Sequence, residues 1–101
     1  MKTIQSSEYM LTGQWLRTPA GPRADETADR IEWLIEHVLQ KLADSPRWGA
    51  WETLYRDPAD GRLWERTFPQ GDLQGGGPPQ LAIIEVDRAC EKYGIPVGVE
   101  P

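Results

Sequence analysis

From Asp25 onward, apolar residues return at three- and four-residue steps: Ala28, Ile31, Leu34, Ile35, Val38, Leu39 and Leu42. That spacing draws one apolar stripe along a helix. Asp25 suits an N-cap, and Glu26 and Asp29 suit the positive end of the helix dipole. Ser45-Pro46 ends the run. The pattern predicts a long helix over residues 25–44. Trp33 lies off the stripe, roughly opposite Ile31 and Leu42 at about 100° per residue, among Asp29, Glu36, His37 and Gln40. Either another part of the chain covers it, or it anchors a partner, since tryptophan is enriched at binding hot spots.

Beyond Pro46 the period shortens to two. "RWGAWETLYR" (47–56) and "GRLWERTFP" (61–69) read as paired strands joined by "DPADG". Pro58 suits the second position of a type I turn, with Asp57 as a side-chain acceptor. Gly61 can take the left-handed conformation that closes the hairpin. Alternation puts Trp51, Thr53 and Tyr55 on one face and Ala50, Glu52 and Leu54 on the other. In the second strand Trp64 and Phe68 share a face with Arg62 and Arg66, so aromatic and arginine side chains are expected together on the exposed side.

The ends are less regular. Residues 1–8 are polar and expected to fray, and so is the tail over 96–101. "YMLTGQWL" (9–16) predicts a first strand bent at Gly13, and "RTPAGPRAD" a loop. "QLAIIE" predicts a short edge strand and residues 85–93 a second helix, stopped by Gly94 and Pro96. The fold class expected is α+β: a small antiparallel sheet of three or four strands, the long helix across one face, and a short C-terminal helix in one domain spanning 1–101.

Charge narrows the function. The net charge is −5, which argues against direct nucleic-acid binding and fits a basic protein partner. Acids concentrate in the predicted helix: residues 24–44 hold six of them against Arg30 and Lys41. No apolar run has signal-peptide or membrane-spanning length, so a cytoplasmic, soluble protein is expected. Cys90 is the lone cysteine and reads as an unreactive thiol. Catalytic chemistry finds little to work with. His37 is the only histidine, so neither a zinc site nor a nucleophile–histidine triad has its parts. Glu52 and Glu65 face each other across the hairpin, with Arg56, Arg62 and Arg66 near enough to partner them. No cofactor is expected.

"QGDLQGGGPPQ" (70–80) is the odd stretch, with three glycines running into two prolines. A phosphate cradle wants backbone N–H donors there, and Pro78 and Pro79 have none. A linker reading fails too, because one short strand and one short helix follow, too little for a domain. A shaped loop folded back on the core remains.

"LYRDPADGRLWERTFPQGDLQGGGPPQL" (54–81) closely resembles the immunity protein 27 family of bacterial polymorphic toxin systems. "LTGQWL", "DETADRIEWL" and "ACEKYGI" are similar to flanking segments of that family, so the likeness covers most of 11–95. Gln74 and Asp72 depart from it, standing where a histidine and a glutamate are expected. The resemblance implies a protein that binds a cognate toxin domain and blocks it, protecting the producing cell. A basic nuclease would suit the acidic helix. The expected contacts are the helix face (Glu32, Trp33, Glu36), the hairpin tip (Asp57, Asp60, Arg62) and the loop (Asp72, Gly75, Gly76, Gly77). The other reading is a non-catalytic regulatory module with a different protein partner.

Overall fold

The computed structural model describes residues 1–70 and 77–94. Along these residues run β1 (Met10–Thr12), β2 (Trp15–Thr18), β3 (Gly21–Ala24), α1 (Glu26–His37), β4 (Gln40–Ser45), β5 (Gly49–Arg56), β6 (Leu63–Thr67), β7 (Gln80–Ile83) and α2 (Val86–Tyr93). Five strands form one antiparallel sheet in the order β1-β7-β6-β5-β4, and β2 pairs with β3 as a separate ribbon. The α+β class is as predicted, but the sheet has more strands than the expected three or four.

Helix α1 begins as predicted: the Asp25 side chain accepts a hydrogen bond from the Ala28 amide at 2.8 Å. It ends much sooner than residue 44. The amides of Val38 and Leu39 both donate to the Leu34 carbonyl, at 2.9 and 2.8 Å, and the chain turns into β4. The apolar spacing misled because β4 is bulged. Lys41 pairs with Tyr55 and Ala43 with Leu54, leaving Leu42 as the extra residue. Leu42 and Ala43 therefore both pack on one side, a step that imitates a helix stripe.

Two other expectations change. Residues 15–24 hold the ribbon β2–β3 where "RTPAGPRAD" suggested a loop. The Thr18 hydroxyl closes its turn, donating to the Gly21 carbonyl at 2.6 Å. Pro22 is tolerated because a two-stranded ribbon leaves outer N–H positions unpaired. Strand β7 is not an edge. It lies between β6 and β1, with Trp64 opposite Ile83 and Leu11 opposite Leu81.

Each sheet face carries a helix. On one face, Ile31 and Leu34 of α1 meet Leu11, Leu39, Tyr55, Trp64 and Leu81. On the other, Ala89 and Tyr93 of α2 meet Leu54 and Leu63. Trp64 and Tyr55 are buried, against the expected exposure, whereas Trp51 is exposed at the other end of the hairpin.

The first eight residues are tied down. Arg30 donates to the Lys2 and Thr3 carbonyls and grips the Glu8 carboxylate with two bonds of 2.7 and 2.8 Å. Arg62 donates to the carbonyls of Gln5 and Glu8 at 3.1 and 2.8 Å. Ile4 packs against the α1-side core. The tail over 96–101 lies outside the described residues.

Candidate protein interface

The hairpin tip is built for its own turn. Asp57 is buried; its carboxylate accepts from the Ala59 amide at 2.9 Å, and its amide donates to the Arg62 carbonyl at 2.9 Å. Asp60 bonds the Arg62 side chain at 2.6 Å. Burial disfavours its charge, yet its bonds from Arg62 hold its pKa below the usual carboxylate value. Arg62 then spans Asp60, the N-terminal strap and the Trp64 ring, 5.1 Å from the ring centre. All three residues thus have work within the fold.

The loop is similar where it is described. Gly77 has φ +70, and a Cβ there would stand 2.4 Å from the Gln70 carbonyl oxygen. Gly77, Pro78 and Pro79 are buried, and the Pro79 carbonyl accepts from the Gly13 amide at 2.8 Å. A side chain on Gly13 would meet Ala28 and that same carbonyl, each at 2.9 Å. The glycine therefore lets two chain segments cross in contact. Asp72, Gly75 and Gly76 lie outside the described residues.

Helix α1 offers a different surface. Glu32 and Glu36 are exposed, while Trp33 is half-buried against the core with its ring 6.0 Å from that of His37. Glu32 also marks what lies beside it. Burial raises the pKa of the Tyr55 hydroxyl; Arg66 and Lys41 pull it down, and Glu32 and Asp44 push it up. Four charged groups thus act on this one buried hydroxyl, and β5 runs back from it to the open end of the hairpin at Gly49.

At that end stand residues the sequence did not single out together. Trp48 and Trp51 are 53% and 54% exposed. The Trp51 ring meets Phe68 edge-on at 5.4 Å. Trp48, Trp51, Glu52, Thr67, Phe68 and Pro69 line an open cleft of about 570 Å³. Arg66 holds the strands beside it. The regular β5–β6 pairing stops at Thr53 and Arg66, and the Arg66 guanidinium bonds the Ala50 carbonyl instead, at 3.2 Å. It also lies 5.3 Å from the Phe68 ring centre. Arg47 lies 4.8 Å from the ring centre of Trp48. The signal in the sequence was the tryptophan spacing at 48 and 51, which strict alternation along the predicted strand 47–56 sends to opposite faces; the observed β5 starts only at Gly49.

Glu52 and Glu65 do come together, but their cation is Lys92 of α2 rather than an arginine. The ammonium stands 3.1 Å from Glu52 and 2.6 Å from Glu65, and the Tyr93 hydroxyl donates to Glu65 at 2.7 Å. Burial works against the Lys92 charge, but its two carboxylate bonds outweigh this and raise its pKa. Burial and the bond to Glu65 raise that of Tyr93 as well. Among the described residues no three His, Cys, Asp or Glu side chains converge as a metal site would need. No helix among them is long and apolar enough to cross a membrane.

Comparison with curated proteins and with solved structures gave no match. The family comparison gave one: residues 20–85 match the profile described as immunity protein 27. That match takes in α1, the hairpin and the glycine loop, well over half of the chain, and on it the protein belongs to the immunity protein 27 family.

Proposed function

We propose that this protein is a non-catalytic immunity protein that binds a cognate toxin domain in the cytoplasm and blocks its action. One observation carries the reading beyond family membership. Trp48 and Trp51 stand more than half exposed at the start of β5, the end of the hairpin away from its turn. Exposed indoles beside a rigid aromatic neighbour cost solvation and give the fold little, but they are the side chains that dominate protein interfaces. The exposed acids of α1, Glu32 and Glu36, suit a basic toxin domain such as a nuclease, chiefly by speeding encounter. Asp72, Gly75 and Gly76 remain proposed contacts.

Co-expression with the C-terminal domain of a modular toxin encoded beside this gene tests the proposal. Restored growth and a stable complex on a sizing column are expected. Unrelieved toxicity with no complex would overturn it.

A further inference from the structure

We propose that the cleft between Trp48, Trp51 and Phe68 receives a lysine or arginine side chain of the bound protein, with Glu52 as its counter-charge. The proposal rests on the toxin-binding reading above and names the chemistry of the contact.

The aromatic walls are the first observation. Cations are attracted to ring faces within about 6 Å of the centroid. Two rings of the cleft already hold guanidinium groups of this chain: Arg47 at Trp48, 4.8 Å, and Arg66 at Phe68, 5.3 Å. Trp51 carries no such partner among the described residues, and it is the more exposed of the two indoles. The cleft opens where a third cation could lie against it.

The second observation is charge. Lys92 is shared between Glu52 and Glu65, so two carboxylates divide one ammonium between them. Tyr93 adds a neutral donor to Glu65 only. Glu52 keeps an oxygen, Oε1, that is shielded from solvent and accepts no hydrogen bond among the described residues. A carboxylate short of partners is costly where water is excluded. Glu52 lines the aromatic cleft. A cationic side chain entering there meets the Trp51 ring, the one wall without a guanidinium among the described residues, beside the Glu52 carboxylate.

The neighbouring cleft sets the competing outcome. It is smaller, about 260 Å³, and is lined by Arg47, Arg88 and Lys92 as well as Glu52, Trp48 and Ser45. Arg88 is paired with Glu91 at 3.5 Å and Lys92 with its two glutamates, which leaves Arg47 as the cation to attract an acidic side chain.

The full chain, isotope-labelled, is titrated with acetyl-Gly-Arg-Gly-amide and with acetyl-Gly-Glu-Gly-amide while the indole N–H signals are followed. The arginine peptide is expected to shift the Trp48 and Trp51 signals. Trp51→Ala, a change at an exposed position, should abolish the response. Glu52→Gln should weaken binding about fivefold, the scale of a partly exposed ionic contact. No shift with the arginine peptide, or a stronger response to the glutamate peptide, overturns the proposal. The toxin domain separates the two readings. A complex that Trp51→Ala leaves equally tight overturns the cation cleft while toxin binding stands. If the unmodified chain forms no complex, toxin binding fails, and the peptides still accept or reject the cleft.

Discussion

Gly77 shows how little of the glycine loop is free to vary. Its backbone is left-handed, and an added methyl would meet the Gln70 backbone rather than a side chain that could swing away. Gly77→Ala is expected to cost at least about 1–3 kcal/mol, the scale of forced backbone strain, read as a lower urea midpoint. Trp64 has no exposed surface, and Trp64→Ala should cost about 3–5 kcal/mol. Glu8 gives a pH signature. The Arg30 side chain beside it holds its pKa at about 2, against an ordinary 4.5. A depressed pKa means stability that is present above the ordinary value and lost as the pH falls through 4.5 toward about 2. The urea midpoint should therefore drop between pH 6 and pH 3, and Glu8→Gln should flatten that part of the drop.

Arg30 and Arg62 make an element of the first eight residues that hydropathy alone could not reveal. A polar segment reads as frayed because the bonds that hold it come from residues more than twenty positions away. Arg62→Ala removes charge-assisted bonds to three carbonyls of the strap, those of Gln5, Ser6 and Glu8; each is worth about 1.5–3 kcal/mol at most. Amide exchange over residues 1–8 should accelerate well before the sheet itself opens. Toxin binding should hold wherever the protein remains folded. Elements whose signals are local were readable from sequence: the Asp25 cap, the Asp57–Gly61 turn, and α2, which Gly94 closes at φ 67. What stayed hidden depended on distant pairing. The bulge at Leu42 exists only against β5, and β7 becomes interior only because a three-residue strand from the other end of the chain lies beside it.

Across the whole molecule, the hairpin and loop residues behind the likeness serve the fold itself. The residues that carried the likeness interlock: Asp57 and Gly61 in the turn, Arg62 on the strap, Glu65 with Lys92 and Tyr93, Gly77 against Gln70. They identify an architecture, and so the family could be named from sequence while the exposed pair Trp48 and Trp51 was missed. The proposed binding surface divides into two parts with different expected kinetic roles. Glu32→Lys with Glu36→Lys should slow association with a basic toxin and reduce its salt dependence, with little change in dissociation. Trp48→Ala or Trp51→Ala should instead speed dissociation, at a cost of about 2 kcal/mol or more for a hot-spot residue. Surface plasmon resonance at two ionic strengths distinguishes these outcomes.

The pairing of β1 with β7 also sets an order in time. Met10–Thr12 finds its neighbour only when Gln80–Ile83 is present, and the same crossing brings Gly13 to Pro79. Contacts this distant in sequence must await the intervening chain and form slowly. During synthesis the hairpin and α1 can assemble first, while the earliest strand waits for nearly the latest. A ribosome-bound chain stopped before residue 80 should therefore leave Leu11 and the α1 core open to proteases, and pulse proteolysis of such stalled chains would show protection arriving in one late step.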